Sequence, residues 1–378
     1  MSLNTSVGTL SLQTPLLLAS GYITETPDFF FRAVPYGCAG MVTRSLKEHV
    51  PPERASVPAP RYVVFNGNSM LNCEWGNEKP WRHWLVDALK VKETGCPIIV
   101  SLSGRDIEGC ANLIRSFDEI SVDAFEINIS CSHSGVLHGN LNIDVTHLRE
   151  LMEKIRPITR TPLWIKLSYS TILIQMAEEA ERLGADAIVC TNSIGPGMFI
   201  DTDTAKPKLG IKDGGGGVTG KAIFPIALWS VHQIHRAVAI PIVGSGGIST
   251  ADDVIQMLMA GAAAVELYTA PALKGPAIFR RIVSGLEKFL REHPDYHSLN
   301  NLVGAAKIGE ESNFSSPTPM IIEENCTGCG ICIPSCAFDA IKLVHHPKAL
   351  AIIDDNCISC NACVGVCPPK FDAIQASY

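Results

Sequence analysis

One motif, written twice near the end of the chain, restricts its folding more than any other feature. Cys326-x2-Cys329-x2-Cys332-x3-Cys336 recurs as Cys357-x2-Cys360-x2-Cys363-x3-Cys367, and Pro368 follows the second copy. Eight thiols packed this densely need a common partner. The spacing is that of paired 4Fe–4S sites, in which the fourth Cys of each run crosses to the other cluster. Cys326, Cys329, Cys332 and Cys367 are therefore expected to hold one cluster, and Cys357, Cys360 and Cys363 with Cys336 the second. Zinc is the rival metal, but Cys-x2-Cys-x2-Cys crowds three ligands more tightly than the usual paired zinc spacing. Thiolates kept for metal require a reducing compartment, which places the protein in the cytoplasm.

This repeat predicts a small two-cluster, ferredoxin-like domain over 320–378. The stretch 296–319 precedes it as a linker, its end rich in Ser and Pro. Upstream, short apolar runs at 15–18, 40–43, 98–102, 124–129, 163–167, 187–190, 241–244 and 264–268 alternate with helical periods. Trp81, Trp84, Leu85, Ala88 and Leu89 form one such period. Val145, Leu148, Leu151, Met152 and Ile155 form another, and Val254, Met257 and Leu258, stopped by Gly261, a third. The fold class this predicts is α/β, a TIM (β/α)8 barrel over 1–295, with an open doubly wound sheet as the competing arrangement. Residues 7–13 read as a hairpin plugging the barrel's underside. The hydrophobic content of 46% suffices for a large core, yet no apolar run reaches the length of a membrane span. The opening residues lack a basic segment followed by an apolar one, so no signal peptide is expected. A formal net charge of −7 without a basic run argues against a nucleic-acid partner.

The ends of the expected strands carry polar groups, and in this fold those ends hold the chemistry. Phe125-Glu-Ile-Asn-Ile-Ser-Cys131 finishes in an amide, a hydroxyl and a thiol; Trp164-Ile-Lys166 buries an amine in a strand. Gly244-Ser-Gly246-Gly247 opens the seventh helix, where backbone N–H groups and the helix N-terminus favour a phosphate, and Thr269 adds a hydroxyl from the eighth strand. The glycine run at 214–217 reads as a mobile loop, a linker or a close approach to a flat ligand. Clusters pass single electrons, and a flavin can take them singly and hand on a hydride, so FMN is expected at the phosphate site.

These residues resemble the class 1 dihydroorotate dehydrogenase barrels, and most closely the FMN and iron–sulfur portion of dihydropyrimidine dehydrogenases. The resemblance rests on Asn128-Ile-Ser-Cys131, Lys166-Leu-Ser168, Thr191-Asn-Ser193, Gly217-Val-Thr-Gly220, Gly246-Gly-Ile248, Leu71-Asn72-Cys-Glu74 and the double cysteine motif. It implies FMN contacts from Ala19, Ser20, Arg44, Lys166, Thr191, Gly220, Gly246, Gly247, Tyr268 and Thr269. It implies substrate contacts from Asn72, Glu74, Asn128, Ser130, Asn192 and Ser193, and makes Cys131 the proton donor or acceptor. The chain departs from the family pattern where Arg44 replaces Lys, Ser132 replaces Pro, His133 stands at the position of an Asn, and Ser193 replaces Thr.

The reaction this implies is reduction or oxidation of an activated C=C bond in a cyclic amide. Uracil or thymine is the expected ring, because Glu74 would repel the carboxylate of orotate. Dihydroorotate or another unsaturated lactam or enone is the alternative. A tRNA dihydrouridine synthase is disfavoured by the acidic charge, and an electron-transfer subunit without a substrate by the Cys131 and Asn set. No Rossmann segment is legible, so electrons are expected through a separate NAD(P)H flavoprotein subunit or a ferredoxin, in a homodimer or hetero-oligomer. His133 and His138 are read as gating or solvated loop residues, and Cys38, Cys73, Cys96, Cys110 and Cys190 as packing residues.

Overall fold

Eight parallel strands close on themselves in the computed structural model, which describes residues 2–49, 59–73, 76–129, 144–211, 213–307, 318–345 and 349–376. The chain divides into two units, Met1–Ala306 and Lys307–Tyr378. In the first, β1 (Thr5–Val7) and β2 (Leu10–Leu12) pair antiparallel as a hairpin whose Val7 and Leu12 join the barrel's interior core. The barrel strands are β3 (Leu16–Leu18), β4 (Gly40–Val42), β7 (Ile98–Ser103), β8 (Ala124–Asn128), β9 (Leu163–Leu167), β10 (Ala187–Cys190), β15 (Ile242–Ser245) and β16 (Ala262–Leu267). Each coincides with an expected strand to within two or three residues.

Two cores follow from the two-residue period of a strand. Leu17, Val42, Ile99, Ala124, Trp164, Ala187, Val189, Val243 and Ala264 point inward and fill the barrel. Their neighbours in sequence, such as Phe125, Ile165 and Ile188, point outward under the helices. Helix Val145–Ile155 shows how one such cover forms. Asp144 caps it, its carboxylate accepting His147 N–H at 3.0 Å, and Leu148, Leu151, Met152 and Ile155 are buried at helical spacing. Burying one such side chain contributes roughly 1.5–3 kcal/mol.

The strands between β4 and β7 and between β10 and β15 were not expected. β5 (Tyr62–Phe65), β6 (Ser69–Asn72), β11 (Ile194–Gly197) and β14 (Gly216–Gly220) make a four-stranded antiparallel sheet in the order β11-β14-β6-β5, and β12 (Ile200–Asp201) pairs with β13 (Lys206–Pro207) beside them. The glycine run, read as a loop or linker, therefore runs into a central strand. The reason is steric: a Cβ on Gly216 would come within 2.5 Å of the Asn72 carbonyl oxygen. The stretch expected as a linker also begins too early. Leu299 and Leu302 are buried against the barrel's helices, and Gly304 and Ala306 N–H donate to Leu258 and Met259 at 3.0 and 3.1 Å.

In the second unit β17 (Met320–Ile321) pairs with β20 (Ile374–Gln375), and β18 (Ile341–His345) with β19 (Ala349–Ile353). Cys332, Ile341, Ala351, Cys363 and Ile374 are buried together at its centre. Among the described residues no helix is long and apolar enough to cross a membrane.

Candidate active site

The C-terminal ends of the barrel strands and the antiparallel sheet enclose an open cleft of about 1080 Å³. All ten expected cofactor residues line it: Ala19, Ser20, Arg44, Lys166, Thr191, Gly220, Gly246, Gly247, Tyr268 and Thr269. Asn72, Asn128, Asn192 and Ser193 line it too. Glu74, Ser130, Cys131, Ser132, His133 and His138 lie outside the described residues.

On one side the loops after β14, β15 and β16 converge. Gly247, at φ +78°, packs so closely on Gly220 that a Cβ would meet the Gly220 carbonyl oxygen at 2.6 Å. Gly220, at φ +82°, leaves no more room: its Cβ would lie 2.4 Å from the Asn68 carbonyl. The bare backbone can thus approach a phosphate closely. Thr269 Oγ1 donates to Thr219 Oγ1 at 3.0 Å beside it. Helix Ala251–Met259 contributes less than its position suggested. Asp253 caps it from within, accepting Ser249 and Thr250 N–H at 2.9 and 3.0 Å and pairing with Lys221. The Thr250 amide closes a capping box in which Thr250 Oγ1 accepts Asp253 N–H.

Across the mouth, three asparagines arrive from three elements. Asn192 Nδ2 donates to Asn128 Oδ1 at 3.1 Å, and Asn128 Nδ2 to Ser45 Oγ at 3.0 Å. Ser45 and Ser101 hydroxyls lie 2.8 Å apart beneath them. Asn72, on β6, donates to the Gly217 carbonyl at 3.0 Å, which fixes its side chain from the sheet side. At the rim, the buried Arg44 guanidinium lies 3.2 Å from Glu25 Oε2 and 5.4 Å from the Tyr22 ring centroid. The other Glu25 oxygen accepts Glu78 and Lys79 N–H at 3.1 and 2.8 Å, so one carboxylate ties Arg44 to the segment after Asn77. Lys47 lines the same side.

At the floor stands Lys166, only 5% exposed, its ammonium 3.0 Å from Glu126 Oε2 and 2.7 Å from Glu266 Oε2. Burial opposes the charge on Lys166, but the two carboxylates outweigh burial and raise its pKa. Glu266 is pushed up to about 8, by burial first and by the Glu126 charge second, against the pull of Lys166. Neither glutamate was singled out from the sequence. The available signal was parity: Glu126 lies two residues before Asn128 on an inward-facing strand, and Glu266 shares the inward face with Ala264.

The other thiols of the barrel pack. Burial lifts Cys110 and Cys190 to about 12 and Cys38 further, so they stay neutral.

In the second unit the cysteines fall into two cavities. Cys326, Cys329, Cys332 and Cys367 line one of about 360 Å³; Cys336, Cys357, Cys360 and Cys363 line another of about 330 Å³. Each run contributes its fourth cysteine to the other run's cavity, as the spacing anticipates. Backbone N–H groups of Ala351, Ala340 and Ser359 donate to the sulfurs of Cys326, Cys336 and Cys357 at 3.5, 3.3 and 3.4 Å. Such bonds favour thiolates and tune cluster potentials.

Both cofactors fit the residues present. The glycine cradle, the hydroxyl of Thr269 and the ammonium of Lys166 suit a flavin mononucleotide, and each cysteine quartet suits one 4Fe–4S cluster. The comparison with known proteins agrees. Residues 2–290 match the family model described as dihydroorotate dehydrogenase, and residues 306–371 match a 4Fe-4S dicluster domain. Three archaeal relatives carry the name dihydroorotate dehydrogenase B (NAD(+)), catalytic subunit. The Thermoplasma acidophilum protein is 32% identical over 80% of this chain and 98% of its own length. The Pyrococcus furiosus protein is 31% identical over 81% and 99%, and the Methanothermobacter thermautotrophicus protein 32% over 80% and 98%. With the barrel matched from end to end and nearly the whole of each relative covered, this chain belongs to the dihydroorotate dehydrogenase family of FMN-dependent oxidoreductases and carries a 4Fe–4S dicluster domain as well.

Proposed function

We propose that the cleft interconverts a CH–CH bond and the C=C bond next to a carbonyl in a small cyclic amide of the dihydroorotate type. The observation that carries this reading is the trio Asn72, Asn128 and Asn192. Each amide offers both a donor and an acceptor, the pattern that a ring of alternating N–H and C=O groups requires. FMN supplies hydride transfer at one ring carbon. Cys131, three residues beyond Asn128, takes or gives the proton at the neighbouring carbon. Lys166 places positive charge where a reduced flavin ring accumulates negative charge. Lys47 gives the rim the cationic character that a carboxylate-bearing ring needs.

The sequence alone put uracil or thymine first, on the strength of Leu71-Asn72-Cys73-Glu74 and the attached dicluster domain. The named relatives and the cationic rim favour the dihydroorotate-like alternative. The dicluster domain implies electron exchange with a separate protein, and the NAD(+)-linked, catalytic-subunit names of the relatives support a nicotinamide-dependent partner subunit. The experiment is anaerobic mixing of the oxidised holoenzyme with dihydroorotate, dihydrouracil or dihydrothymine, read as bleaching of the flavin band. Dihydroorotate should bleach it fastest. Faster bleaching by dihydrouracil or dihydrothymine would return the assignment to a dihydropyrimidine dehydrogenase.

A further inference from the structure

Inside the barrel, one level below the asparagines, three ionisable side chains meet. Glu126 comes from β8, Lys166 from β9 and Glu266 from β16. The layer beneath them is apolar, with Ala124, Trp164 and Ala264 on the same strands. Glu126 and Glu266 are 0% and 1% exposed, yet two carboxylates share a single ammonium. Each spends its Oε2 on Lys166. The two remaining oxygens, Glu126 Oε1 and Glu266 Oε1, are buried, and no hydrogen bond from a described residue reaches them. Two buried acceptors without a donor are costly, as is one negative charge in excess at the centre of a barrel. A single proton resolves both costs, because a protonated carboxyl can donate to its neighbour and the layer becomes neutral. Burial first and the Glu126 charge second act on Glu266 in that direction. The strands beside Glu266 put Leu17 and Ser245 opposite it; those beside Glu126 put Ser101 and Trp164 opposite it. Arg44 lines the same cleft but is paired with Glu25. Among the described residues, Lys166 and Glu126 are the charged groups that act most strongly on Glu266.

We propose that Glu126 and Glu266 form a proton-sharing pair at the floor of the flavin cleft, and that this pair binds its shared proton in step with flavin reduction. The inference rests on FMN occupying this cleft, which Lys166 and Glu266 both line, and is independent of which ring the enzyme takes. The balance is simple. Two electrons from a reductant and one proton from solvent leave one negative charge on the flavin. That charge raises the proton affinity of the pair, and a second solvent proton adds to a carboxylate oxygen where the pair was ionised. Reoxidation releases it. No other bond forms or breaks.

The test is the flavin midpoint potential of the holoenzyme between about pH 7 and 10, titrated anaerobically with dithionite. For a two-electron couple, one proton per reduction gives about 30 mV per pH unit, because tenfold in the equilibrium constant is about 30 mV. The wild type should steepen from one proton towards two on the alkaline side. Glu266→Gln, which keeps size and removes the titration, should follow the one-proton slope throughout. A one-proton slope in the wild type, or an unchanged steep interval in the variant, overturns the proposal. Redox-difference infrared spectra of the wild type at about pH 9 give a second measurement that needs no variant. Reduction should add a carboxylic-acid carbonyl band that shifts in D2O, and its absence also overturns the proposal. Loss of flavin would show as a missing flavin band over the remaining cluster absorbance, which separates failure of cofactor binding from failure of the pair.

Discussion

Replacing Lys166 by Met removes the cation that the described residues place at the barrel floor and keeps the length of the side chain. Two glutamates are then left facing each other, 0% and 1% exposed, each having lost a partner at 3.0 or 2.7 Å. Breaking a buried ion pair from one side typically costs about 3–5 kcal/mol, because the abandoned charge cannot be resolvated. Here the cost depends on pH. The folded-state pKa of Glu266 is about 8 against an ordinary 4.5, so between those values the folded protein binds more protons than the unfolded one. Stability from this group therefore falls as pH rises across that window. Without Lys166 the pull that lowers Glu266 is gone, so in the variant the fall continues to a higher pH. Urea unfolding at about pH 6 and 9, followed by tryptophan fluorescence, measures it; all five tryptophans lie before residue 230, so the signal reports the barrel. The expected loss is about 3–5 kcal/mol at the alkaline pH and less than half of that at the acidic one. A loss under about 1 kcal/mol, or one equal at both pH values, would refute the electrostatic account of the floor, since a surface-like pair is worth no more than that.

Gly247→Ala should weaken FMN binding at least tenfold, measured by the fluorescence of released flavin, because the new Cβ would sit 2.6 Å from the Gly220 carbonyl at a positive φ. Undiminished affinity would mean that the phosphate is held elsewhere. Cys360→Ser should lose iron from the cavity it lines with Cys336, Cys357 and Cys363 while FMN stays bound, since the flavin cleft is lined entirely by residues of the other unit. Metal analysis beside the flavin spectrum decides this, and joint loss of both would count against independent sites.

Where the sequence was readable, local pattern and final environment agreed. The eight barrel strands are buried on both sides and read as short apolar runs, with β9 found at 163–167 as expected. The cysteine runs were equally plain, because ligand spacing is a covalent property of the chain. The antiparallel sheet was not. Gly216-Gly-Val-Thr-Gly220 has almost no intrinsic preference for a strand, and its pairing with β6 is imposed by a tertiary neighbour 145 residues away at the Asn72–Gly217 bond. The floor of the cleft was half legible. Lys166 stood out as an amine in a strand, whereas Glu126 and Glu266 gained their meaning only when barrel closure brought β8 and β16 onto either side of it. The glycine turn before helix Ala251–Met259 was legible, but the bonds of the Asp253 carboxylate to the two amides that precede the helix depend on how the turn folds back.

The central claim, that this cleft carries out proton-coupled hydride chemistry on a ring, is tested most directly at Cys131. The measurement is the anaerobic rate at which dihydroorotate reduces the flavin of Cys131→Ala, beside the wild type, across the range around the ordinary thiol pKa of about 8.5. The variant should retain FMN and both clusters and remain reducible by dithionite. Its reduction by dihydroorotate should be slower by about 10²–10⁴-fold, the usual contribution of a general base, and the wild-type rate should rise with pH as the thiolate forms. A variant that keeps more than about a tenth of the wild-type rate would contradict the account, because a proton acceptor should be worth at least ~10²-fold.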